Sequence, residues 1–162
     1  MKRLLIATTA LLGVAVTQNA WAETTTTTIA VTASVDPTCS ATASTLSFLT
    51  VPASTIVSAN ATVYVTCTAG ATYEVGLDYG AHSSGGGTQR NLKITGAATL
   101  IPYGLSAASA GGTNWGDNLE VDTVEGTGSG GAQTLTVYGQ IPSQSSPVTG
   151  VYTDTVTVTI TY

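Results

Sequence analysis

Charge is scarce in this chain: only 8% of its 162 residues are Asp, Glu, Lys or Arg, four basic against nine acidic. Soluble domains carry about 25%. Two of the four cations, Lys2 and Arg3, fall in an N-terminal leader. Without residues 1–22 the remaining 140 residues hold two basic and nine acidic groups, a net charge of −7. Phosphate binding needs clustered Lys and Arg, so nucleic acid and anionic membrane surfaces are excluded as partners. His82 is the only histidine, and Cys39 and Cys67 are the only cysteines. That inventory excludes a multi-histidine metal centre and the four-ligand structural zinc sites. No cofactor is expected. A G-x-S-x-G elbow is missing, and His82 stands in a Ser/Gly-rich loop, so no residue set supports an enzyme. No C-x-x-C motif is present either.

Long apolar runs are also lacking. The longest, Leu4–Val16, has 13 residues, too few for the ~20 that a membrane-spanning helix needs. It follows the basic Met1-Lys2-Arg3 and precedes Ala20-Trp21-Ala22, a small-x-small cleavage site. Residues 1–22 therefore read as a secretory signal peptide of bacterial kind. No membrane insertion is expected after its removal. Export makes an oxidising compartment available. With two cysteines only one disulfide can form, Cys39–Cys67. A closed loop of that length gives ~3.5 kcal/mol in the chain-entropy model.

Threonine takes the place of charge, with 29 in residues 23–162, and it favours strands. Period-two alternation recurs through the chain. Ile29, Val31, Ala33 and Val35 form the first such set, and Ala61–Cys67 and Tyr73–Tyr79 follow. Leu135 and Val137 open another run. The clearest is the last, where Val156, Val158, Ile160 and Tyr162 alternate with threonines. Leu46–Leu49, Asn91–Ile94 and Leu100–Ser106 are weaker strand candidates. Gly-rich segments at 83–87 and 126–131 separate the runs. Many short strands with regular turns predict an antiparallel β-sandwich.

Three further constellations read as structural. Gly126, Gly128 and Gly131 satisfy G-x-G-x-x-G, but a strand rather than a helix follows, so the segment is expected to be a hairpin loop. Asp117, Glu120, Asp122 and Glu125 lack the EF-hand spacing and read as a solvated acidic loop. Trp115 and the tyrosines 73, 79, 103 and 138 read as core aromatics.

The motifs then carry a resemblance over nearly the whole chain after the leader. They run from Cys39 and Leu46-Ser47-Phe48 through Val63-Tyr64-Val65-Thr66-Cys67 and Tyr73-Glu74-Val75-Gly76-Leu77. Arg90, Leu92, Tyr103, Leu105 and Trp115-Gly116 continue the match. Val137–Pro142 and the terminal Gly150-Val151-Tyr152-Thr153-Asp154-Thr155-Val156 complete it. At these residues the chain resembles the spore coat protein U domain family, which includes the pilins of archaic, Csu-type chaperone–usher systems. One departure is Leu49, where that family commonly has glycine.

The resemblance implies an incomplete immunoglobulin-like sandwich, completed by a donor strand from a neighbouring subunit. It divides the chain into a signal peptide (1–22), a donor-strand arm (23–36) and a pilin domain (37–162). Ile29, Val31, Ala33 and Val35 are the expected donor positions. Val156, Val158 and Ile160 are expected to line the acceptor groove, and Cys39–Cys67 to form the disulfide. The expected partners are identical or related subunits, a periplasmic chaperone and an outer-membrane usher. The expected product is a cell-surface pilus, exported through the periplasm and used in adhesion and biofilm formation. A secreted lectin-like binding module, a tip or adaptor subunit and an outer coat component are the alternatives.

Overall fold

The computed structural model describes residues 21–145 and 147–162. The chain divides into two units, Met1–Ser34 and Val35–Tyr162. In the first, residues 21–34 carry neither helix nor strand, and their side chains are exposed. The leader prediction falls largely on residues 1–20, outside the described residues.

In the second unit the alternating threonines produce strands throughout. They are β1 (Cys39–Ala43), β2 (Val57–Cys67), β3 (Thr72–Leu77), β4 (Arg90–Ile94), β5 (Leu100–Ser106), β6 (Val124–Thr127), β7 (Ala132–Ile141), β8 (Tyr152–Thr153) and β9 (Val158–Thr161). No helix occurs among the described residues. Six strands pair in the order β1-β2-β7-β5-β4-β8, and three in the order β6-β3-β9. Every pairing is antiparallel.

Strand alternation sends one face of each sheet inward. Val63 and Val65 of β2, Tyr73, Val75 and Leu77 of β3, and Ile101, Tyr103 and Leu105 of β5 are buried, as are Val137 and Ile141 of β7. Trp115 joins them from the loop before β6, and its indole Nε1 donates to the Val75 carbonyl at 2.7 Å. The core reading of this tryptophan thus holds, with its one polar atom satisfied. The cysteines face each other as register partners across β1 and β2, 4.1 Å apart at Cα, and form the disulfide. The bridge ties the first strand of the sandwich to the end of β2.

Three local expectations are corrected. Of the terminal run 155–162 only Val158–Thr161 forms a strand, paired with β3 in the small sheet. Tyr152–Thr153, just upstream, pair with β4 in the large one, so the chain changes sheets as it enters the run. The 126–131 segment is likewise a crossing rather than a hairpin, because β6 and β7 lie in different sheets. Gly128 packs there against the turn after β2, where a Cβ would stand 2.2 Å from the Thr68 carbonyl. Leu46–Leu49 forms no strand. Leu46 and Phe48 instead lean over Gly139 of β7, where an added Cβ would lie 2.9 Å from each. Leu49 follows with φ 59°, the left-handed region that glycine occupies most easily. This conformation gives the physical reason for a glycine at that position.

Candidate strand-acceptor groove

The groove follows from how the last segment is anchored. Gly150 lies so close to β4 that a Cβ would meet Ile94 Cδ1 at 2.2 Å. Two residues on, Tyr152 donates its hydroxyl to the Val148 carbonyl at 2.9 Å. Asp154 then receives the Tyr103 hydroxyl at 2.7 Å and the His82 amide at 3.2 Å. Gly80 leaves room for this carboxylate, since a Cβ there would sit 2.1 Å from Asp154 Oδ2. Burial, with the bond to Asp154, pushes the Tyr103 hydroxyl pKa up, so it remains a donor. The G-x-Y-x-D-x-V block is therefore an anchoring device: glycine for close approach, tyrosine and aspartate for fixed polar contacts, and a valine turned inward after them.

Beyond Asp154 the backbone is held from one side. The Thr155 and Thr157 carbonyls accept the Ala81 and Asp78 amides at 3.0 and 3.1 Å. Asp78 Oδ1 accepts the Thr157 and Gly80 amides, each at 2.9 Å. β9 continues the pairing with β3. Among the described residues no strand pairs with the other edge of β9, and β1 is paired only with β2.

Between these two free edges the core is open. A cavity of about 400 Å³ lies where β1 ends and β9 begins. Leu46 and Phe48 form one wall and Val156 and Val158 the other; Leu77, Leu105 and Val137 lie beneath. These side chains come from both sheets, so the opening exposes the interior of the sandwich. A chain segment entering here would meet apolar side chains at period two and an unpaired strand edge.

The predicted groove residues separate. Val156 and Val158 line the cavity, while Ile160 is partly buried against the core outside it. The second wall, Leu46 and Phe48, was not anticipated, because it comes from an irregular segment far away in sequence. Ile29, Val31 and Ala33 lie in the first unit and Val35 in the second, all exposed; Ile29 is 85% and Val31 88% accessible. Asp122 of the acidic loop accepts the Asn118 amide at 2.8 Å, so this carboxylate organises its own loop.

Arg90 was also missed as a structural centre. It is 1% exposed. Its Nη2 donates to the Leu77 and Trp115 carbonyls at 2.6 Å each, Nε to the Asp78 carbonyl at 2.8 Å, and Nη1 to Asn114 Oδ1 at 2.8 Å. The guanidinium carbon stands 4.9 Å from the Tyr79 ring centroid. Burial lowers its pKa, against the pull of Tyr103, Tyr79, Asp78 and Asp117. Arg90 thus joins β4 of the large sheet to the end of β3 in the small one, directly behind the segment that leads into β9.

Asp78 gives this anchor an acid limit. Burial works to raise its pKa, but hydrogen bonds from Thr157 and Gly80, with Arg90 nearby, outweigh it and lower the value below the ordinary 3.8. A depressed carboxylate pKa stabilises the fold above the unfolded value, and that stability is lost as pH falls through the folded one. The expected result is a loss of stability below pH 3.8 that Asp78→Asn makes shallower. Acid titrations of both chains at fixed urea check it. Parallel curves would remove Asp78 from the account.

Residues 25–159 match the family model of the Spore Coat Protein U domain. The chain belongs to that family. Among solved structures it is similar to a chain of the CsuC-CsuE chaperone-tip adhesion subunit pre-assembly complex from archaic chaperone-usher Csu pili of Acinetobacter baumannii. The TM-score is 0.60 at 20% identity, over 79% of this chain and 40% of that one. This likeness establishes the immunoglobulin-like antiparallel β-sandwich, and the present chain spans well under half the length of that neighbour. The E. coli Hda pilus minor tip subunit, HdaB, is more distant, with a TM-score of 0.42 at 14% identity over 75% and 79% of the two chains. No curated protein matches the chain.

Proposed function

We propose that this protein is a structural subunit of a bacterial surface pilus, assembled through the chaperone–usher pathway by donor-strand exchange. The observation that carries the reading is the open apolar groove beside the unpaired edge of β9. Residues 1–22 are the export signal, 23–36 the arm and 37–162 the acceptor domain. The arm of one subunit enters the groove of the next, with Ile29, Val31, Ala33 and Val35 turned inward and backbone amides paired to β9. This is β-augmentation. Val156 and Val158 receive the arm, and Ile160 continues the same face of β9. Before assembly a periplasmic chaperone covers the groove, because a bare apolar edge is an aggregation template. An outer-membrane usher exchanges the chaperone for the next arm. A head-to-tail contact does not close on itself, so it builds a filament. Adhesion and biofilm formation are the roles such a filament serves at the cell surface.

The test separates the two faces of the last segment. Val156→Asp places a charge in the groove, whereas Thr159→Asp places one on the exposed side of β9. The Val156 variant is expected to be missing from surface filaments. The Thr159 variant is expected to assemble. Equal assembly of both would refute a strand in the groove.

A further inference from the structure

The distribution of charge marks a second surface, the outward side of strands whose inward side chains line the groove. Four adjacent strands, β1, β2, β7 and β5, contain no Asp, Glu, Lys or Arg at all. Their inward positions are apolar core, and their outward positions are mainly threonine, serine, tyrosine and amides. Thr42, Tyr64 and Thr134 form one row across β1, β2 and β7, and Thr62 with Thr136 forms the next. Tyr138 stands opposite Asn60 in the same sheet. The carboxylates lie elsewhere. Glu74 and Glu125 face each other on β3 and β6 of the small sheet, and Asp117, Glu120 and Asp122 occupy the loop that leads to β6.

We propose that this uncharged outer face of the large sheet is the lateral contact between copies of the chain in neighbouring filaments. The proposal rests on the filament reading above. Subunits of charge −7 repel one another wherever carboxylates meet. Through this face, two copies meet neutral side to neutral side. Packed sheets lie ~10 Å apart, so the small-sheet charges of two facing copies are separated by several Debye lengths of ~8 Å. Rows of hydroxyls and half-exposed tyrosines can then exchange hydrogen bonds and flat contacts without burying a charge.

The size of the face decides how the contact works. Four strands of 5, 11, 10 and 7 residues, ~4.8 Å apart and rising ~3.4 Å per residue, cover roughly 540 Å². A stable pair of free proteins needs ~800 Å² from each partner. One contact is therefore too small to hold two subunits together. Repetition along a filament converts many weak contacts into strong avidity, of the order of 10²–10⁴ or more. Filaments should associate side by side while single subunits do not.

The experiment uses filaments sheared from cells producing the full chain. Two readouts are taken together: the heat-labile ladder on unboiled gels, which reports head-to-tail assembly, and low-speed sedimentation with negative-stain microscopy, which reports side-by-side bundling. Wild-type filaments are expected to bundle. Thr134→Glu combined with Thr136→Glu, both exposed on β7 and outside the groove lining, is expected to give the same ladder with at least tenfold less sedimenting material. About 1 M salt, where the Debye length is ~3 Å, should restore bundling. Thr134→Glu alone serves as the milder variant, and Thr127→Glu on the small sheet adds equal charge without effect. Variants that keep the ladder and sediment like wild type would overturn the proposal. So would wild-type filaments that stay single, or that gather only when a neutral polysaccharide such as dextran is added. A missing wild-type ladder would overturn the filament reading itself, and the lateral contact with it.

Discussion

Removing residues 24–35 is expected to abolish filaments while leaving a subunit that still binds its chaperone. This deletion keeps Glu23, and with it the leader cleavage site, and touches no strand of the acceptor domain. It removes Ile29, Val31, Ala33 and Val35. Burying Ile29, Val31 and Val35 is worth ~1.5–3 kcal/mol each, about 5–9 kcal/mol together. Each ladder hydrogen bond to β9 adds a net ~0.5–1.5 kcal/mol. Since ~1.4 kcal/mol is a factor of ten in an equilibrium constant, the joint should weaken by at least about a thousandfold. Counting surface filaments by microscopy, with the chaperone complex recovered from the periplasm, checks both halves of the expectation. Normal filaments from the shortened chain would remove residues 29–35 from the donor role.

Replacing Arg90 by methionine is expected to cost the domain about 4 kcal/mol or more. Methionine keeps much of the aliphatic stem but donates nothing. The Leu77, Trp115 and Asp78 carbonyls and Asn114 Oδ1 would each lose a donor. A buried acceptor left without a partner costs ~1–3 kcal/mol, and bonds from a charged donor are at the strong end. Water can still reach the Asn114 side, so the two Nη2 contacts dominate. Arg90→Lys should recover little, because an ammonium cannot reach four acceptors spread over a planar fork. Urea unfolding of the three chains gives the comparison. A loss below about 1 kcal/mol for methionine would mean the carbonyls find other partners and the clamp is dispensable.

These results bear on what the residues disclose before folding. The long strands were legible because period-two alternation marks half-buried sheet, and β2, β3 and β7 carry it plainly. The disulfide was legible because only one pairing existed. The break at Asp154 was not. The alternating run starts only after it, and the pairing of Tyr152–Thr153 with β4 against that of Val158–Thr161 with β3 reveals that the chain leaves one sheet for the other. Leu46 and Phe48 read as strand from composition, yet their role is to cap Gly139 and wall the groove. Arg90 is a single cation in a polar context, which resembles a surface residue. Its partners are backbone carbonyls of residues 77, 78 and 115, and no side-chain pattern announces those.

The groove shows the same division. One wall could be named from the terminal pattern, because Val156 and Val158 are neighbours in sequence. The other wall and the floor come from the segment after β1 and from β3, β5 and β7, which meet only in the folded chain. Ile160 shares the pattern of the first wall but lies beyond the cavity, since the strand continues past the opening.

The proposed donor-strand exchange requires each sandwich to take a β-element from another copy, and electrophoresis of surface-sheared protein without boiling reads this out. A regular ladder of bands that collapses to one monomer band on heating is the predicted result. A single monomer band before heating, from protein that is folded and free of chaperone, would contradict it.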